Sequence, residues 1–266
     1  LAHEIADESP RRCRVGIEVV QRLLAYSRHP GSEHDIGVGC ARPHQLDRHV
    51  AADRDLRLLL HDMNPNAHGT QEPADGGWDT RAMPTGARLA RTSDVDDIAA
   101  IQVRAWRQSY AGIIPEGVLD ELDPMQLAST WAHGILNPPT VRHRLLVAID
   151  SESGTDEVVG YAAIGPSGDP DCAGDPSIGE LLALAIAPTH QRMGHGSRLM
   201  AASVDYLRAD GSIEASTWVS VGDEARRAFL LAAGWGPDSA YRDLDVNGEP
   251  VREVRLVTRL DEATTP

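Results

Sequence analysis

The stretch "ELLALAIAPTHQRMGHGSRLMAASVDYLRADG", residues 180–211, limits what this chain can fold into more than any other. Residues 180–188 form a near-continuous apolar run closed by Pro188. Such a run fits a strand buried on both faces, the position of a central strand covered by helices. Residues 196–211 carry apolar side chains at helical spacing and end at Gly211, a helix stop signal. Between the two lie Gln191, Arg192 and a pair of glycines, Gly194 and Gly196. A buried strand that turns through glycines into an amphipathic helix calls for layers of sheet and helix.

The flanking segments fit the same architecture. "ARLAR" (87–91) reads as a short strand, and Thr92, Ser93 and Asp94 offer caps for a helix carrying Ile98, Ile101, Val103 and Trp106 on one face. "PEGVLDEL" and "DPMQLASTWAHGIL" read as further helices, each with a proline near its first turn. Residues 143–150 and 157–166 read as strands joined by the turn "SESGTD", and an acidic loop carrying Asp169, Asp171 and Asp175 follows. Residues 214–221 read as a strand and 222–235 as a helix stopped by Gly234. Residues 241–246 and 251–260 read as a terminal hairpin turning at Asn247–Gly248. The fold class expected is mixed α/β, or α+β.

Residues 1–82 are different. They hold seven of the eleven histidines and repeated polar, Pro- and Gly-containing stretches, with only two short helical patterns at 16–26 and 54–63. The first Met is Met63 and the next is Met83, immediately before the well-patterned segment. The expected organisation is a poorly structured extension or over-long gene start over 1–82, and one folded domain over 83–262. His34, Cys40, His44 and His49 match no zinc-ligand spacing, and no metal is expected. The three cysteines form no CxxC pair and no disulfide framework, which fits a reducing, cytoplasmic setting. A formal net charge of -15, with every basic residue Arg, argues against nucleic acid as a partner. No apolar run approaches the ~20 residues of a membrane span.

The glycine turn carries the chemistry. The first N–H groups of a helix lack intrahelical partners, and with the helix dipole they attract anions. Glycines let a phosphate approach closely and let the backbone take positive φ. Arg192 and Arg198 stand near and add positive charge. The spacing is neither GxxxxGK[ST] nor GxGxxG, because the chain has no Lys and position 199 is Leu. Taken alone, the pair of glycines is also consistent with a plain tight turn.

"AIAPTHQRMGHGSRLM" resembles the acyl-CoA-binding signature Q/R-x-x-G-x-G/A of the GNAT N-acetyltransferase superfamily, through Gln191, Gly194 and Gly196. "WVSVGDEARRAFLLAAGW" resembles the same superfamily's second motif, with Asp223 at its usual Asn and Leu230 at its usual Tyr. "AWRQSYAGIIPEGVLDEL" also resembles members. The resemblance covers about 83–260. It implies a central mixed, mostly antiparallel sheet of about six or seven strands flanked by helices. It also implies an acetyl-CoA-dependent N-acetyltransferase that moves acetyl to an amine of a small molecule or peptide, by direct attack in a ternary complex.

The same resemblance implies site residues. Leu184, Ala185 and Ile186 would meet the pantetheine arm, and Gln191, Arg192, Met193, Gly194, His195, Gly196 and Ser197 the phosphates. Glu180 would be the base, and Trp106 and Tyr110 would lie on the acceptor side. Leu230 removes the usual general acid and leaves open a non-catalytic acyl-CoA-binding module. Tyr206 and Tyr241 are the substitutes considered, and either a monomer or a homodimer is compatible.

Overall fold

A computed structural model describes residues 85–152, 154–172 and 174–260. The readings made for 1–82 fall outside these residues. The described part holds seven strands in one sheet and five α-helices. The elements are β1 (Thr85–Leu89), α1 (Val95–Ser109), α2 (Glu116–Asp120), α3 (Pro124–Leu136), β2 (Arg144–Asp150), β3 (Glu157–Pro166) and β4 (Ile178–Ile186). They continue with α4 (His195–Ala209), β5 (Glu214–Ser220), α5 (Glu224–Ala232), β6 (Gly236–Val246) and β7 (Glu249–Arg259).

The sheet order is β1-β2-β3-β4-β5-β7-β6. Every neighbouring pair is antiparallel except β4–β5, which is parallel. The parallel pair is the one bridged by a helix, α4, as a parallel crossover requires. The mixed, mostly antiparallel sheet expected from the sequence is therefore present.

Two cores cover its two faces. One packs Ile98, Ile101, Trp131, Val147, Tyr161 and Ala163 beneath α1, α2 and α3. The other packs Leu146, Ala162, Leu181, Leu199, Leu207 and Leu230 beneath α4 and α5. The central strands feed both, so their sequences read as apolar runs instead of alternating.

Local chemistry sets several element ends. Asp123 caps α3 by accepting from Met125 N at 2.9 Å, with Pro124 in the first turn. Asp223 caps α5 by accepting from Arg226 N at 3.0 Å. Asp94 differs from expectation: it stands at the N-cap of α1 but makes no side-chain bond to it, and its carboxylate instead accepts from Arg91 N, capping the 3-10 turn Thr92–Asp94, and from Arg88, each at 2.7 Å. Strand β6 begins at Gly236, five residues before the expected 241. It is the sheet's edge strand, where Pro237 removes no needed ladder bond, and its register is irregular between Pro237 and Tyr241.

Candidate active site

Strands β4 and β5 pair only over Ile178–Glu180 and Glu214–Ser216. Beyond that, β5 keeps its ladder with β7 as far as Ser220, while β4 keeps its ladder with β3 as far as Ile186. The two parallel strands therefore part and leave a wedge in the middle of the sheet. Thr217 closes its root, its hydroxyl donating to Leu181 O at 2.8 Å. A bulge in β4 sets the geometry at the same point: Ala163 faces Ala183, but Ile164 already faces Leu181. Leu181 thus packs under α4 while Leu182 and Ala183 both turn to the α1 side.

Glu180 is the last residue of β4 before the wedge opens. It is only 6% exposed, and Oε2 accepts from Ser167 Oγ and Gly168 N, each at 3.2 Å. Burial pushes its pKa above the ordinary carboxylate value, against the lowering effect of those donors and of Arg242. Glu180 lines a cleft, open to solvent, on the α1 side of the sheet. Trp106 of α1 and Tyr110, at that helix's C-cap, line it too, with ring centroids 5.5 Å apart. Leu184 reaches the same cleft from β4. The structure thus brings together Glu180, Trp106, Tyr110 and Leu184.

Residues invisible to sequence reading complete the cleft: Tyr161, Trp218, Arg226, Arg242 and Glu253. Arg242 and Glu253 are cross-strand partners on β6 and β7, joined by an Nε–Oε2 bond of 2.7 Å. The Arg242 guanidinium lies 4.4 Å from the Trp218 ring centroid. Burial pushes the Tyr110 phenol up to about 12 and raises that of Tyr161 as well, so both hydroxyls stay protonated at neutral pH. Trp106 hydrogen-bonds the Tyr161 hydroxyl. Tyr161 sits inside an apolar run, Arg226 comes from the first turn of α5, and Trp218, Arg242 and Glu253 become neighbours only through β5–β7–β6 pairing; no local pattern marks them.

The glycine turn lies at the other end of β4. Ala187 N bonds to Val159 O, and a short 3-10 turn over Pro188–His190 leads to Gln191, whose Nε2 donates to Ile186 O at 3.4 Å. Arg192 has φ 66 and Gly194 φ 84, two left-handed residues that aim the chain into α4. Arg198 N is taken up by Gly194 O at 3.1 Å. The N–H groups of His195, Gly196 and Ser197 precede it in the first turn and have no intrahelical acceptor.

The two glycines answer different demands. Gly194 supplies a left-handed φ at the N-cap. Gly196 is in the helix and needs no such φ, and a Cβ built on it would meet Phe229 at 3.6 Å and Ile186 at 3.7 Å, ordinary contacts. Nothing inside the protein demands its missing side chain. The backbone of Gly196 lies beside the N–H groups of the first turn, and a methyl group there would meet no clash.

Other candidates lie elsewhere. The His195 side chain, unlike its backbone, is turned inward: it is 3% exposed, with Nε2 3.5 Å from Asp150 Oδ2. Burial lowers its pKa, opposed by Asp150. Met193 is exposed. Tyr206 packs under Arg144 and Tyr241 beside Arg252, both away from the cleft, and Leu230 is buried in the second core. Asp169 is bound to Arg255 at 2.9 Å, and Asp171 lies 3.5 Å from the same guanidinium. Among the described residues no three His, Cys, Asp or Glu side chains are grouped to hold a metal, and no helix is long and apolar enough to cross a membrane.

A seven-stranded mixed sheet, parted between its parallel strands, thus leads to a glycine turn at the start of α4. The sequence profile of the acetyltransferase (GNAT) family matches residues 103–235, and the chain belongs to that family. The N-acetyltransferase YuaI of Bacillus subtilis, itself described as uncharacterized, is 29% identical over 170 residues, covering 64% of this chain and 90% of YuaI. An N-acetyltransferase of Staphylococcus aureus Mu50 superposes with a TM-score of 0.51 at 15% identity, covering 66% of this chain and 99% of that one. The acetyltransferase-like yncA of Salmonella typhimurium, solved with acetyl-CoA, gives a TM-score of 0.49 at 22% identity, covering 68% and 97%.

Proposed function

We propose that this chain is an acetyl-CoA-dependent N-acetyltransferase whose reaction occurs in the wedge between β4 and β5. The observation that carries this reading is the buried Glu180 at the root of the wedge, on the strand that runs to the Gly194–Gly196 turn. Acetyl-CoA supplies the activated acetyl group. The free N–H groups at the start of α4, with the bare surface of Gly196, would hold its pyrophosphate, helped by the helix dipole and by Arg192 and Arg198. Leu184, Ala185 and Ile186 would pair with the pantetheine arm through main-chain groups, because β4 has no partner strand on the wedge side there. An N–H near Ile186 would polarise the thioester carbonyl.

Glu180 then acts on the acceptor. An ammonium group is not nucleophilic, so one of its protons must leave before attack. Glu180, held above the ordinary carboxylate pKa by burial, is suited to take that proton directly or through one water. The N–C bond forms, the C–S bond breaks, and the second proton released by nitrogen leaves with the thiol. A thiol has a pKa of about 8.5, so sulfur departs without a dedicated acid and Leu230 does not block turnover. Trp106 and Tyr110 would form the acceptor wall. A non-catalytic CoA-binding role gains no support from the cleft, where a buried carboxyl and two protonated phenols meet. The test is acetyl-CoA consumption with amines: thiol release matched by N-acetyl product supports transfer, and binding without any release supports the passive role.

A further inference from the structure

The charges lining the cleft point to the class of acceptor, on the premise that the cleft performs acetyl transfer. Four charged side chains line it: Glu180, Glu253, Arg226 and Arg242. Arg242 and Glu253 satisfy each other, with Nη2 and Oε2 2.6 Å apart in addition to the Nε bond. One acid and one base remain, Glu180 and Arg226. Glu180 has Ser167 and Gly168 as donors and is placed as the proton acceptor. Arg226 is different, because its Nη2 is buried and has no hydrogen-bond partner.

A buried guanidinium N–H without an acceptor is unfavourable, and a ligand that supplies an acceptor relieves it. The position of Arg226 is fixed. It lies in the first turn of α5, its backbone N–H held by Asp223 at 3.0 Å. It lines the cleft together with Trp106, Tyr110 and Tyr161. Guanidinium N–H groups select planar anions, carboxylates above all.

We propose that the acceptor is an amine that also carries a carboxylate, a free α-amino acid or a close analogue, with the carboxylate on Arg226 and the amine towards Glu180. The charge balance agrees. With Arg242 and Glu253 neutralised, a cationic monoamine beside Glu180 leaves the positive charge of Arg226 unanswered, whereas a zwitterion matches both groups. The cleft is open to solvent and presents both an acid and a base to whatever enters it.

The test compares free L-amino acids with their α-carboxamides, which keep the amine and side chain and lose the anion. kcat/KM is measured for the full chain and for Arg226→Gln and Arg226→Lys, with acetyl-CoA affinity determined by calorimetry on the same preparations. The wild type should prefer acids over carboxamides. That preference should fall about 10- to 100-fold in Arg226→Gln, mainly through KM, with Arg226→Lys intermediate. Taking the ratio of the two substrates removes any general loss of folded enzyme. Equal losses on acids and carboxamides, or a wild type that prefers carboxamides, would overturn the assignment and give Arg226 to the thioester end. If acetyl-CoA is not bound at all, the acetyl-transfer reading fails, not the acceptor class alone.

Discussion

Gly196→Ala separates what the fold needs from what the ligand needs. In the structure a Cβ at this position would lie 3.6 Å from the Phe229 ring and 3.7 Å from Ile186, within ordinary van der Waals contact. The backbone is helical, so alanine meets no strain, and it replaces the weakest helix former short of proline. The gain is up to ~1 kcal/mol in a helix interior and about half that in a first turn. For a domain of this size that raises Tm by about 1–2 °C. Binding should move the other way. The methyl occupies the surface beside the N–H groups of His195, Gly196 and Ser197, where a phosphate oxygen must come within about 3 Å. Losing one hydrogen bond to a charged group costs about 1.5–3 kcal/mol, so acetyl-CoA should bind about 10- to 150-fold more weakly. Thermal denaturation and calorimetry on one preparation read both numbers. An unchanged affinity would refute the phosphate cradle, and a Tm lowered by several degrees would refute the packing described around α4.

Glu180→Gln should cut turnover by on the order of 10²-fold while leaving acetyl-CoA affinity unchanged. Wild-type kcat/KM should rise with pH on a limb above the ordinary 4.5, as Glu180 loses its proton, and the Gln variant should lack that limb. Because the folded-state pKa is raised, the stability linked to this group is full below 4.5 and is lost as pH rises through the folded value, so the Gln variant should melt higher than wild type at neutral pH. Asp223→Ala removes the cap on α5 and should cost about 1 kcal/mol, a Tm fall of about 2–4 °C by thermal denaturation. A chain beginning at Met83 contains all seven strands of the sheet and should match the full chain in Tm and acetyl-CoA affinity; a lower Tm or aggregation would show that residues 1–82 contribute to folding.

The apolar run at 180–188, the amphipathic pattern at 196–211 and the glycines between them were legible because strand, turn and helix signals are local. They sufficed for the fold class and for the loop at the start of α4. Glu180 could be singled out by resemblance, but its burial under Ser167 and Gly168 depends on the β3–β4 connection folding back over the sheet. The charged lining of the cleft was mostly hidden. Arg242 meets Glu253 because β6 pairs with β7, and Trp218 meets Arg255 because β7 pairs with β5. Such contacts follow from sheet order, which no single segment encodes. The same pairing places Arg255 beside Asp169 and Asp171 of the acidic loop. The first residues of β6 escaped notice because Pro237, Asp238 and Ser239 carry turn chemistry, which an edge strand tolerates.

Thiol release is the most direct measure of the central claim: the full chain is given acetyl-CoA, binding is followed by calorimetry, and release is then followed on adding free amino acids and simple amines. Saturable binding, with release that requires an amine and matches N-acetyl product one for one, is the result predicted for a reaction in the β4–β5 wedge. A chain that binds no CoA ester would contradict it.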